Sequence, residues 1–324
     1  MARSLEQHLA ILGTLTFPAG LDQLRAALAV RTPRGGVVIA AAAKLVAEHR
    51  LDHLVPELGE AFAALAGADR VQKDPQCRGK VAIAKALHEL DHWDDGVFVR
   101  GLSIEQREGW SQVGPPDDTA AELRGICGLA HAHFARHDAL DVLAELLADA
   151  ERVTRLAAAQ ALGDSGHVDA TALLRFKLLT VEHEEPEVLS ACFESLLALG
   201  RSTGEAFAIR MLAAHDDRAE AAALALGGAR IASALPALVA WCESCLAEQR
   251  HRVGYLAIAL LRCDDGNRYL LDAVGEAKRG DAIAAATALA TFKEDATVAA
   301  RLREAAAAVR DKAIRREIEQ LLAE

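Results

Sequence analysis

Apolar residues in this chain recur at three- and four-residue spacing, the period of a helix face, and the stretch from Asp149 to Gly200 shows the pattern most plainly. There Leu156, Ala159 and Leu162 fall on one side of a first helix, and Gly163 and Gly166 supply the permissive backbone of a sharp reversal. A second helix follows from about Asp169 to Leu179. After an acidic turn the pattern opens again and closes on Leu-Leu-Ala-Leu-Gly at 196–200. One helical hairpin of this size cannot bury its apolar face alone, so copies must stack on either side.

The same reading extends along the chain. Helix pairs are expected at 5–29, at 37–49 with 51–66, at 76–90 with 96–102, at 119–134 with 138–149, and then in the hairpin just described. Further pairs follow at 186–199 with 204–214, 217–227 with 233–246, 248–262 with 266–277, and 280–292 with 295–308. Pro18, Pro56, Pro186 and Pro236 are each placed near a helix start, where a missing N–H is tolerated, and Ser233 is placed as the N-cap before Pro236. Leu162, Leu199, Leu226, Leu260 and Leu289 recur at spacings of 27 to 37 residues, the range of two-helix repeats.

Residues 1–34 form an irregular N-terminal cap pair, and 309–324 a closing segment whose helix, Asp311 to Ala323, has a polar outer face. Residues 67–75 read as a loop. A second, longer irregular loop covers 103–118, with Gly109, Gly114, Pro115 and Pro116. It ends at Thr119-Ala-Ala-Glu122, the pattern of a capping box. The prediction is an all-α chain without a sheet, one continuous array of about nine helix pairs over 1–324.

Composition sharpens this picture. Hydrophobic residues make up 52% of the 324 and aromatic residues only 4%, so the core is built from Ala and Leu. Val37-Val38-Ile39, the one β-branched cluster, runs straight into an Ala-rich helical stretch. The net charge of −11 argues against nucleic acid as a partner, because phosphate tracking needs clustered Lys and Arg. No span approaches the roughly 20 apolar residues that cross a bilayer. Glu6, Gln7 and His8 interrupt the only signal-like stretch, so the expected compartment is the cytoplasm. The six cysteines are dispersed, which suits reduced thiols in helices better than a disulfide framework.

Arg155-Leu-Ala-Ala-Ala-Gln-Ala-Leu162-Gly163-Asp-Ser-Gly166, followed by Leu173 and Leu174, resembles the HEAT-like repeat named after the bilin lyases of the phycobilisome. Cys192 to Gly200 and Ala222 to Gly227 are weaker copies, and Asp74 to Gly163 is also similar to a group of bacterial HEAT-repeat proteins without assigned activity. The resemblance implies a right-handed α-solenoid. The repeat occurs in bilin lyases, scaffolds and regulatory subunits alike, so it implies architecture before function.

Several residues invite chemistry. His88 with His92, and His133 with His137, are four apart and could share a helix face as metal ligands do, but His92 and His137 fall at helix ends, where a basic side chain meets the dipole without a metal. Deoxyhypusine hydroxylase, a HEAT-like enzyme that this chain resembles in repeat style, uses matching His-Glu pairs; His88-Glu89 and His183-Glu184 are not repeat-equivalent. Cys242-Glu-Ser-Cys245 is a lone CxxC without a second pair. No nucleophile elbow, P-loop or dinucleotide fingerprint occurs. No metal, cofactor or catalytic residue is therefore assigned.

The second helices carry Arg100, Glu145, Arg175 with Lys177, and Arg210 at comparable places. In a solenoid the second helices line the concave binding face, so the row is either a ladder of ion pairs between repeats or a set of contacts to a ligand. Trp110, in the long loop, is either an interface anchor or a lid folded back on the apolar surface. The expected function is a non-catalytic interaction or scaffold module whose partner is a protein with an acidic surface. The alternative is a bilin-lyase-like enzyme or chaperone holding a tetrapyrrole or other small molecule in the groove.

Overall fold

The computed structural model describes residues 4–109, 116–214, 216–244, 248–276 and 278–323. Contacts divide the chain into two compact units, 1–165 and 166–324. Regular structure in both is helical apart from one small pair of strands among the described residues.

The first unit contains α1 (Leu5–Leu12), α2 (Leu21–Leu28), α3 (Gly35–Glu48), α4 (Val55–Leu65), α5 (Arg70–Lys73), α6 (Arg78–Glu89), α7 (Asp95–Gly101), α8 (Ala121–His133), α9 (Ala139–Leu146) and α10 (Arg152–Asp164). First helices stack on first helices: α1 on α3, α3 on α6, α6 on α8 and α8 on α10. Second helices form a parallel row, α2 against α4 and α4 against α7. The core between the rows is small and aliphatic, as the composition requires. Val38, Ile39, Ala42 and Val46 of α3 meet Ile83, Ala84 and Leu87 of α6, and Leu123, Cys127 and Ala130 of α8 continue the layer. Side chains of this size let helix axes approach closely; a Cβ on Gly125 of α8 would stand 2.8 Å from Cβ of Ala157 in α10.

The second unit contains α11 (Ala170–Thr180), α12 (Pro186–Leu199), α13 (Arg201–Met211), α14 (Asp217–Gly228), α15 (Leu235–Ser244), α16 (Glu248–Leu260), α17 (Asp264–Glu276), α18 (Arg279–Ala290), α19 (Ala296–Ala308) and α20 (Lys312–Ala323). Here α12, α14, α16, α18 and α20 form the stacked row, and α13, α15, α17 and α19 pack beside it. Pro186 begins α12, and Pro236 lies in the first turn of α15. In α20, Ile314 and Ile318 are buried while the polar side is exposed, which closes the row against water.

Several local expectations are corrected. The long loop holds an antiparallel pair, β1 (Arg107–Glu108) with β2 (Asp117–Asp118), in which Arg107 faces Asp118 and Glu108 faces Asp117. The chain is therefore all-α with a two-residue ladder pinched into one loop. Residues 67–75, read as loop, contain α5 and run into a 3-10 turn, Pro75–Cys77. Pro18 lies in the turn before α2 and not in its first helical turn. The capping box at Thr119 does not form. The Thr119 hydroxyl has its one proton between the Gln106 carbonyl, at 3.0 Å, and Oε1 of Glu108, at 2.7 Å, while Glu122 pairs with Lys85 at 2.6 Å, so both capping groups are spent elsewhere. Ser233 likewise sits inside a 3-10 turn, Ala232–Ala234, and gives its hydroxyl to Glu205.

Candidate functional site

A buried polar network of the first unit anchors the base of the long loop. Asp74 and Lys80 are both fully buried, with Nζ 2.8 Å from Oδ2. The Asp74 carboxylate also accepts from the backbone N–H of Gly79 and Lys80, and its carbonyl accepts from Nε2 of Gln106. Gln106 in turn donates its backbone N–H to Asp118, which also receives the Ala120 N–H. Arg124 then bridges Asp118 (2.7 Å), the Ile104 carbonyl (3.0 Å) and both oxygens of Asp149. Burial alone would raise the Asp118 carboxyl; the Gln106 N–H and the Arg124 guanidinium outweigh it and hold the group below the usual carboxylate range. A polar cleft of about 190 Å³ opens here, lined by Ser103, Glu105, Arg107 and Glu151 around the Arg124 pair. Its guanidinium is occupied by protein acceptors, so the cluster fixes the loop and offers little to a ligand. Trp110 lies outside the described residues.

The second-helix row resolves into different roles. In the first unit Arg100 of α7 donates to the Ala66 carbonyl at the C-terminus of α4, at 3.1 Å. This is a bond between neighbouring hairpins, but to a carbonyl and not to a carboxylate. Glu145 is exposed on α9, and its carboxylate has no hydrogen-bond or ion-pair partner among the described residues. In the second unit Lys177 meets Glu184 at 2.5 Å, and Glu184 is nearly buried, so this cation is held by the protein. Arg175 and Arg210 converge. Their guanidinium carbons lie 5.4 Å and 5.0 Å from the centroid of the Phe207 ring, one reaching from α11 and the other along α13. Arg175 also donates to the Thr203 carbonyl at 3.0 Å, while its Nε is buried with no acceptor. Neither arginine meets a carboxylate among the described residues.

The histidine pairs do not assemble as spaced. His88 lies edge-on to His133, ring centroids 4.8 Å apart, and His133 pairs with Asp91 at 2.7 Å. Burial, and then the neighbouring His133, push His88 below the ordinary histidine range. His131 is buried, with Nδ1 2.7 Å from the Cys127 carbonyl and its ring against Trp93. Among the described residues no three His, Cys, Asp or Glu side chains are grouped to hold a metal. Cys242 is buried against α16, and Cys245 lies outside the described residues. Burial pushes the Cys77 and Cys192 thiols up to about 12, which leaves them protonated and poorly nucleophilic at neutral pH.

Three further cavities lie between first helices. One of about 440 Å³ runs along α16, α18 and α20, lined by Leu256, Ile283, Thr287 and Leu321. Others of about 400 and 390 Å³ lie between α3 and α6 and between α12 and α14.

No model of a protein family matches the chain, and no curated protein does. Among solved structures it is similar to the complex of CpcE and CpcF of phycocyanin lyase from Nostoc sp. PCC7120. The identity is 19% over 71% of this chain and 87% of that one, with a TM-score of 0.35. So loose a likeness transfers neither site nor activity. No helix among the described residues is long and apolar enough to cross a membrane.

The residues that the spacing did not single out are Phe207, the platform for two arginines, and Phe176, which is 69% exposed. Phe176 carried a signal: it stands four residues after Ala172 and eight after Val168, on the side of α11 opposite Leu174 and Leu178. The Asp74 and Lys80 pair carried none.

Proposed function

We propose that this protein is a HEAT-like right-handed α-solenoid, one array over residues 1–324, acting as a non-catalytic module that binds another protein on its second-helix face. The observation that carries the reading is the Arg175 and Arg210 pair. Two guanidiniums rest on one aromatic ring with no carboxylate among the described residues to satisfy them, on a chain whose net charge is −11. Retaining that pair opposite an acidic surface supports contact register and encounter rate more than raw affinity. The overall negative charge supports a protein over a nucleic acid, and the protonated buried thiols weigh against thiolate chemistry.

The test is a pull-down from the native host with the wild type, Arg175→Glu/Arg210→Glu, and Trp110→Ala, each first checked for an unchanged melting curve. The double substitution is expected to lose a partner that the wild type recovers, and a partner lost only by Trp110→Ala moves the site to the loop. Recovery of no partner, together with turnover of a metabolite in an untargeted screen, overturns the reading. A second reading draws on the apolar cavity along α16, α18 and α20, which suits a flat, largely apolar molecule such as a linear tetrapyrrole. Mixing the two and finding no shift in visible absorbance removes it.

A further inference from the structure

Exposed large apolar side chains are few among the described residues, and they are not scattered evenly. Val168, Phe176 and Leu179, at 70%, 69% and 54% exposure, all belong to α11 or the turn that leads into it. Ala172, Arg175, Phe176 and Leu179 stand at i, i+3, i+4 and i+7, so they share one face of α11. That face is the reverse of the one that seats Leu174 and Leu178 in the core. A helix that is apolar on both sides has a second side to cover.

Charge names the cover. No acidic residue occurs in α11, and the one in α13, Glu205, already accepts the Ser233 hydroxyl at 2.6 Å. Arg175 lies in the exposed face itself, and Arg210 meets it on Phe207. Apart from the Arg175 Nε, which is buried, both guanidiniums keep N–H donors that meet no carboxylate among the described residues. A basic or neutral partner would leave those donors unmet beneath the contact, which disfavours it. A carboxylate satisfies them, with the geometry that a guanidinium fork favours.

We infer that the α11 face is the docking site for an amphipathic helix with an acidic edge. Its apolar side lies along Val168, Ala172, Phe176 and Leu179, and one or two of its carboxylates reach Arg175 and Arg210. The stripe runs about 15 Å, so the occupant needs roughly three helical turns, and its anchors fall at the i, i+3, i+4 and i+7 positions of groove-bound helices. Phe176 is the apolar anchor and the arginine pair sets the charge requirement. This site rests on the protein-binding reading above and gives it an address.

The experiment immobilises the full chain and selects from a displayed library of random peptides about three helical turns long. Enriched clones are then measured against the wild type, Arg175→Gln/Arg210→Gln, Phe176→Ser and Leu179→Ser. All four side chains are outside the aliphatic core, and circular dichroism and melting verify the fold of each variant. The expected result is enrichment of peptides with apolar residues at helical spacing and an excess of Glu and Asp. Affinity should fall about ten-fold or more with either the double substitution or Phe176→Ser, as for an anchor residue. No enrichment, enrichment without acidic residues, or clones that bind the variants as well as the wild type overturns the site. The broader reading is judged separately. If the host pull-down recovers a partner that Phe176→Ser still binds fully, the module stands and this address is wrong.

Discussion

Asp74 and Lys80 form the one fully buried ion pair among the described residues, and each is costly to leave alone. Replacing a single partner strands a charge where water cannot reach it, at about 3–5 kcal/mol. Asp74→Asn is therefore expected to lower the urea midpoint strongly, while Asp74→Asn/Lys80→Met should recover much of the loss because the stranded ammonium is gone. A double variant no more stable than the single one would show that the carboxylate matters for its backbone bonds and not for Lys80. Asp118 makes a pH prediction. Its carboxyl is depressed in the folded chain, so between that value and the unfolded value of about 3.9 the unfolded chain binds more protons. Its stabilisation is thus complete above about pH 4 and is lost as the pH falls through the folded value. Melting measured down the acid range should show less acid sensitivity in Asp118→Asn, from a lower starting stability. Neither pair was legible in the sequence. Asp74 and Asp118 sat in segments read as loops, and a polar residue in a loop is read by default as solvated.

At the scale of elements, close approach between stacked first helices is the recurring device. On Gly227 of α14 a Cβ would run into the Ala257 carbonyl of α16, with Cβ of Leu260 3.0 Å away. Gly227→Ala has to push the two helices apart, and a loss of about 1–3 kcal/mol is expected. Thermal unfolding checks it, with Gly228→Ala as control, since a Cβ there meets nothing. A stable Gly227→Ala protein would mean that α14 and α16 can separate without loss at this contact. Helix existence was legible from period and composition except at the one-turn α5, which fell in a segment read as loop. Helix starts were less so, because Thr119 and Ser233 have the right side chains for capping but use them on Gln106, Glu108 and Glu205. A capping residue and a tertiary hydrogen-bond donor are the same chemical group, and only the neighbours decide which it becomes.

At the scale of each unit, stacked helices are held by neighbours in the same row and by the helices packed beside it. Leu162 of α10 is fully buried, and α10 packs on both α8 and α9. Leu162→Asp puts a charge into that layer, and a loss beyond about 4 kcal/mol is expected, because a buried unpaired charge is among the few single changes that reach this size. Unchanged thermal unfolding would mean that the apolar face of α10 has been misassigned.

The sequence by itself determined the class of the molecule and the order of its hairpins. Both follow from local quantities: apolar spacing, Ala and Leu content, and the positions of Gly and Pro. The spacing also placed Arg100, Arg175, Lys177 and Arg210 on second helices. Tertiary structure decided what each of them does. Arg100 bonds the end of α4 and Lys177 is taken by Glu184, while Arg175 and Arg210 meet over Phe207 with no carboxylate among the described residues. Periodicity fixes which way a side chain points from its own helix axis. What it meets there depends on residues tens of positions away, and that is a property of packing alone.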